Sequence, residues 1–340
     1  MRAYGYKQAS ETLTENAIQA INMATPVPAG RDLLVRVLAV SVNPVDTKIR
    51  RSVSPPADEV KILGWDAVGI VESTGSDASL FKKGDKVFYA GDISRSGTNA
   101  EYQLVDERIV ALAPEGLSDV ESAAMPLTSL TAWELLFDRL EVAPGEESKD
   151  KVLLVTGAAG GVGSILIQLA RKLTGLTVVA TASRPETKEW VSKMGAHHVL
   201  DHSQPLAPQY EALSLEGVDY VASLTHTQTH IAALADLMKP QSKFGLIDDP
   251  GPLDIGLLKR KSISLHWEFM YTRSLFNTSD ILNQHEILSD VSKMLTAGEL
   301  QTTLGQHLGP VNAANLFRAH QILESGSAIG KLALAPFETE

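Results

Sequence analysis

The segment of clearest chemical character reads Val152-Leu-Leu-Val-Thr-Gly-Ala-Ala-Gly-Gly-Val-Gly163. An apolar run leads directly into a glycine-rich turn. Val162, Ile165, Leu166, Leu169 and Leu173 then recur with the spacing of one helix face. Glycines let backbone come close to a pyrophosphate, and the free N–H groups at a helix start favour its negative charge. Set against G-x-G-x-x-G, the aligned positions are Ala158, Gly160 and Gly163, with Gly161 and Val162 between the last two. Alanine replaces the first glycine, so the spelling alone is weak. The order strand, turn, helix is what points to a dinucleotide; the plain alternative is a glycine turn that holds no ligand.

The second apolar run of this region ends Val179-Ala-Thr-Ala-Ser-Arg184-Pro-Glu-Thr-Lys188. A site for NAD places an acidic residue about 20 positions after the glycines, bonded to the ribose 2′-hydroxyl. Ala182 stands there, so no carboxylate repels a 2′-phosphate. Ser183 is able to donate a hydrogen bond, and Arg184 and Lys188 to supply positive charge. The expected cofactor is therefore NADPH, unless Arg184 and Lys188 are only solvated residues of a helix start.

Other chemistries find less support. The chain has no cysteine, which removes disulfides, thiol nucleophiles and thiolate metal sites. His226-Thr-Gln-Thr-His230 has the i,i+4 spacing of two metal ligands on a helix, but no acidic base lies between them, and a surface or loop-lining role is expected. His197-His-Val-Leu-Asp-His202 alternates along an expected strand, so its side chains diverge. No Gly-x-Ser-x-Gly elbow is present. A net charge of −11 without a long basic run argues against nucleic acid or an anionic membrane as partner. The longest apolar stretches are too short to cross a bilayer, and the first residues lack the apolar core of a signal peptide, so a cytoplasmic protein is expected.

The elements that would position these residues change character along the chain. Its 340 residues favour two domains. Up to about residue 115 short apolar runs alternate with turns: Leu33–Val42, Ala67–Glu72, Val87–Tyr89, Glu101–Val105 and Ile109–Leu112, as in a barrel or sandwich. Ser118-Asp-Val-Glu121 spells a capping box, and Leu130, Trp133, Phe137 and Leu140 recur at helical spacing over 127–140. From Lys151 six candidate strands alternate with helices over 162–173 and 186–194, which predicts a doubly wound parallel sheet. Helices near 281–295 and 313–323 and a strand over 331–334 close the chain.

Asn43-Pro-Val-Asp46, Gly64-Trp-Asp-Ala-Val-Gly-Ile-Val71, Lys83-Gly-Asp-Lys-Val87, Leu130-Thr-Ala-Trp133, the glycine segment and Gly330-Lys-Leu-Ala-Leu334 occur in one order over nearly the whole chain. Together they resemble the medium-chain dehydrogenase/reductase superfamily in its quinone oxidoreductase-like branch, and within it proteins described as zinc-type alcohol dehydrogenase-like. The resemblance implies an α/β fold: a GroES-like β-barrel catalytic domain plus a Rossmann doubly wound parallel sheet, with domains at 1–122, 123–270 and 271–340. It implies a cleft between them where nicotinamide meets substrate, and a homodimer formed through the last Rossmann strand near Ser262–Trp267. It also places His202 where related reductases have an aromatic or polar contact near the 2′-phosphate, simple exposure being the alternative. Zinc members carry cysteine at the position of Asn43 and a histidine-glutamate pair at Trp65-Asp66; this sequence has neither.

Hydride transfer needs no protein nucleophile. It needs C4 of the nicotinamide beside an electrophilic carbon, with donors aimed at the oxygen where charge accumulates. Asn43, Asp46, Lys48, Trp65 and Thr131 are the candidates to line that space: Asn43 for a carbonyl or the nicotinamide amide, Thr131 for the nicotinamide, Lys48 as proton donor. Each is otherwise a residue that only shapes the domain junction. The expected function is zinc-independent, NADPH-dependent hydride transfer to a small-molecule quinone or activated alkene (enone or alkenal). The alternatives are an NADPH-binding sensor or structural protein, and a carbonyl reductase of alcohol dehydrogenase type.

Overall fold

The 11 residues Asp32–Val42 form the longest strand of the computed structural model, which describes residues 1–337. Seven of them are valine or leucine, residues that fit a pleated surface packed on both faces. In chain order the first elements are β1 (Arg2–Tyr6), β2 (Gln19–Asn22), β3 (Asp32–Val42), α1 (Pro44–Ser52), β4 (Lys61–Ile62), β5 (Asp66–Thr74), β6 (Lys86–Tyr89), β7 (Tyr102–Asp106), β8 (Val110–Leu112), α2 (Asp119–Ala123) and α3 (Pro126–Trp133). The central part contains β9 (Val152–Thr156), α4 (Gly161–Leu173), β10 (Thr177–Thr181), α5 (Pro185–Met194), β11 (His198–Leu200), α6 (Leu206–Glu211), β12 (Val218–Ser223), α7 (Thr227–Leu237), β13 (Met238–Leu246), α8 (Gly256–Lys259) and β14 (Ser264–Trp267). Then follow α9 (Thr272–Leu275), α10 (Asn283–Thr296), β15 (Leu304–His307), α11 (Ala313–Glu324) and β16 (Lys331–Leu334).

Two compact units result: Met1–Leu130 with the chain from Tyr271 onward, and Thr131–Met270. In the first unit a seven-stranded sheet runs β15-β16-β3-β5-β6-β8, with β7 also paired to β3, and β2-β1-β4 form a small second sheet. The late strand β16 pairs antiparallel with β3, Leu332 opposite Val42, which returns the end of the chain to its beginning. Leu33, Val35, Val40, Val71, Val87, Val110, Leu316 and Leu332 are among the residues of its core. The border between the units lies inside the helical stretch after Pro126, later than the expected 122/123. The reason is that α2 packs on β3, β5 and β16 of the first unit.

The second unit is a six-stranded parallel sheet of order β11-β10-β9-β12-β13-β14, with Leu154, Val179, Val221, Phe244 and Leu246 in its core. The helix expected over 127–140 is α-helical only to Trp133. Glu134–Arg139 is a π-turn, closed by Leu140 N–H donating to Leu135 O at 2.9 Å. Glu134 and Glu268 are both buried there and share Arg139, whose Nε donates to Glu268 at 2.8 Å. Burial and the neighbouring Glu134 push the Glu268 carboxyl up to about 9, so the pair holds a proton at neutral pH.

Candidate functional site

In the second unit β9 delivers the chain to Gly157, whose φ of +63° turns it at the strand end. Gly160 N–H donates to Gly157 O at 3.1 Å, and Gly160 then caps α4 without any side-chain bond. The N–H groups of Gly161, Val162 and Gly163 therefore open the helix with no capping side chain competing for them, the arrangement that suits a phosphate. A Cβ at Gly163 would lie 2.4 Å from Ala158 O, so glycine is needed there for α4 to approach the loop. A Cβ at Gly160 would meet only Gly157 O, at 3.4 Å, which leaves that face of the loop open. The loop fits a pyrophosphate in donor chemistry and in space.

Ala182 is buried and its N–H donates to Leu200 O at 2.9 Å, continuing the β10–β11 pairing. Ser183 and Arg184 lead into α5, where Thr187 Oγ1 both accepts from Arg184 N–H and donates to Arg184 O. Both basic residues expected here have acidic neighbours: Arg184 Nε is 3.5 Å from Glu186, and Lys188 Nζ is 2.8 Å from Asp201. The lysine bond, with those of Ser203, holds the Asp201 carboxyl well below the usual carboxylate range. His202 follows Asp201 and is exposed. Its ring meets that of His230 edge-on, 6.1 Å between centroids, a contact between the two histidine segments that their separate spacings do not suggest.

In the first unit the turn from β3 into α1 carries a second polar cluster. Asn43 and Asp46 form a capping box, Asn43 N–H donating to Asp46 Oδ2 at 2.7 Å. Asn43 Nδ2 donates to Asp66 Oδ2 at 2.8 Å, and Asp66 Oδ1 accepts from Leu127 N–H at 2.8 Å. Lys331 Nζ donates to Asp66 Oδ2 at 2.9 Å, to Val42 O at 3.3 Å and to Asn43 Oδ1. All four side chains are buried. Burial pushes the Asp46 carboxyl up to about 7, against the Asn43 N–H bond and the Lys331 charge, which favour its anion. A carboxyl raised in this way favours folding below its ordinary range and loses that contribution as pH rises through about 7.

The structure thus brings Asn43 and Asp46 together but gives the Asn43 amide internal partners in place of the carbonyl or nicotinamide amide expected for it. Lys48 lies on the exposed side of α1, because positions two apart on a helix face different ways. Trp65 is fully buried, its Nε1 donating to Asp92 O at 3.0 Å and its ring edge-on to Tyr271 at 6.4 Å. Thr131 is buried in α3 and belongs to the other unit. Asp66 and Lys331 were not among the expected site residues, although both stand in the motifs Gly64-Trp-Asp66 and Gly330-Lys331. Two opposite charges, each inside an apolar strand, were the available signal.

Zinc does not fit this cluster. The groups present are an amide, two carboxyls and an ammonium, no cysteine exists in the chain, and the cation facing Asp66 is Lys331 itself. Among the described residues no group of three histidine, cysteine, aspartate or glutamate side chains could hold a metal ion, the convergent histidines included.

A first unit of GroES-like sheet architecture interrupted by a parallel sheet with a glycine loop at its strand ends defines a dehydrogenase/reductase of two-unit type. The family model for the alcohol dehydrogenase GroES-like domain matches residues 29–115, and that for zinc-binding dehydrogenases matches 194–334. A zinc-type alcohol dehydrogenase-like protein of Staphylococcus epidermidis is 41% identical over 337 residues, covering 98% of this chain and 99% of the relative. A solved structure from Rhizobium etli CFN 42, bearing a zinc-dependent alcohol dehydrogenase name, superposes with a TM-score of 0.96 at 52% identity over 100% of this chain and 99% of that one. The Escherichia coli quinone oxidoreductase complexed with NADPH shares the fold, with a TM-score of 0.83 at 24% identity, over 99% of this chain and 100% of that one. The chain belongs to the medium-chain dehydrogenase/reductase superfamily, in its quinone oxidoreductase-like branch, a family of oxidoreductases. No helix among the described residues is long and apolar enough to cross a membrane.

Proposed function

We propose that the protein is a zinc-independent oxidoreductase that uses NADPH to reduce a small conjugated acceptor, a quinone or an activated alkene, as a cytoplasmic homodimer. The observation that carries the reading is the uncapped first turn of α4 together with Ala182 where a site for NAD holds a carboxylate. Reduced nicotinamide, when bound, supplies a hydride. The first-turn N–H groups of α4 would hold the pyrophosphate, and Ser183 and Arg184 the 2′-phosphate. With no Lewis acid to polarise a plain carbonyl, a conjugated acceptor that spreads the arriving charge is favoured. The resulting enolate or hydroquinone anion takes its proton from water or from the exposed ammonium of Lys48. The homodimer reading is supported by β14, the edge strand of its sheet, where Trp267 is 54% exposed and Phe269, just beyond, 46%.

Two measurements test this. Oxidation of NADPH should be driven by a quinone or an enone and little by a saturated aldehyde; turnover with the aldehyde alone overturns the proposal. Tight NADPH binding without turnover of any acceptor would instead support a sensor. Replacing Arg184 with alanine should weaken NADPH binding by about tenfold or more, the worth of one charge-assisted bond, and NADH binding hardly at all. Equal losses for the two would remove Arg184 from the 2′-phosphate site.

A further inference from the structure

Three histidines converge at one end of the parallel sheet, and neither the glycine loop nor the polar cluster of the first unit uses them. His202 follows β11, His226 precedes α7 in the left-handed region with φ of +54°, and His230 lies one helical turn further on. Parallel sheets bind ligands outside the carboxyl ends of their strands, which is where these loops lie. Thr225, whose Oγ1 pairs with His226 Nδ1 at 2.9 Å, is also the residue a Cβ on Gly157 would strike, at 2.8 Å. The histidine loop therefore sits directly against the phosphate-binding turn. On the other side His202 adjoins Asp201 and, through it, Lys188 of α5.

The charges around these rings nearly cancel. Lys188 is matched by Asp201 and Arg184 by Glu186, while Asp248 accepts from Thr227 N–H and Oγ1 at the start of α7. A 2′-phosphate bearing close to two negative charges arrives in a region with little net positive charge to receive it. The groups able to add charge on its arrival are the imidazoles. Loss of hydration where the loops pack together, and repulsion among the imidazoles, hold His202 and His230 below the ordinary histidine range even though His202 keeps an exposed face, with Asp201 opposing the shift at His202 and Lys188 reinforcing it. Without ligand they are therefore neutral at about pH 7.

We infer that His202 and His230 form a proton-accepting wall for the 2′-phosphate, so that NADPH binding takes up protons and the preference for NADPH over NADH rises as pH falls. This rests on the NADPH reading above and adds two residues and a regulation to it. Anion and proton stabilise each other: a phosphate beside a neutral imidazole raises its proton affinity, and by linkage acid tightens the complex. NADH lacks the phosphate and should show neither effect.

Calorimetric titration of the full-length protein with NADPH and with NADH, in buffers of different ionisation enthalpy, reads proton uptake directly. The wild type should take up roughly one proton with NADPH near neutral pH and essentially none with NADH. Its NADPH affinity should rise severalfold from about pH 8.5 to about pH 7, about one unit above the pKa near 6 of the phosphate itself. In His202→Gln/His230→Gln the uptake and the pH dependence should be largely lost. His202 is exposed and His230 half-buried, so these replacements leave the core intact. No proton uptake by the wild type, or uptake undiminished in the double variant, overturns the inference while leaving NADPH as cofactor. NADPH binding no tighter than NADH at any pH overturns the cofactor reading and this inference with it.

Discussion

Replacing Lys331 with methionine is expected to cost about 3–5 kcal/mol of folding stability, because it leaves Asp66 charged, buried and without its cation. The Lys331 side chain is only 4% exposed and that of Asp66 0%, so water cannot take over the lost contact. Methionine keeps the length and apolar packing of the lysine stem, which confines the change to the ammonium. Asp66 would retain the Asn43 amide and the Leu127 N–H, two bonds that satisfy its oxygens but do not neutralise it. Adding Asp66→Asn should recover most of the loss, since two neutral groups then share the site. Urea midpoints of the single and double variants measure both effects. A single variant within about 1 kcal/mol of the wild type would mean that the pair contributes little to the fold. Pyrophosphate binding should survive in both variants, because the glycine loop belongs to the other unit.

That ion pair also marks the limit of what the sequence shows. The glycine loop was legible because its information is local: strand, turn and helix lie within 152–173, and each glycine answers a constraint set by near neighbours. The six parallel strands were legible for the same reason, as apolar runs punctuated by helices. Asp66 and Lys331 are 265 positions apart, and no spacing rule links them. Small elements fared likewise. Strand β2 is almost wholly exposed and carries no apolar alternation, so its pairing with β1 leaves no pattern to read. The π-turn at Glu134–Arg139 keeps helical periodicity and differs only in which carbonyl accepts. His202 and His230 meet only because the sheet brings the loops after β11 and β12 together, whereas the i,i+4 spacing of His226 and His230 was visible but suggested a different partner.

Acid should destabilise the protein through His320, and its replacement by leucine should remove that sensitivity. His320 lies on α11, is 0% exposed, and neither ring nitrogen has a hydrogen-bond partner. Burial, and then the charge of Arg50, push its pKa down to about 3. A histidine held neutral by the fold contributes fully above its ordinary value near 6.5, and that contribution is lost as pH falls through about 3. Roughly 3 kcal/mol should be gone by about pH 4. Leucine fills a similar volume and does not ionise, so urea midpoints taken from about pH 7 to about pH 4 should fall less steeply in His320→Leu than in the wild type. Parallel slopes would show that His320 is not the group that titrates. The consequence reaches the polar cluster, because α11 packs on α1 and Glu324 holds the buried Arg50 guanidinium at 2.5 Å. A proton on His320 would sit beside that guanidinium and loosen α11 from α1, the helix whose first turn sets Asn43 and Asp46 against Asp66 and Lys331.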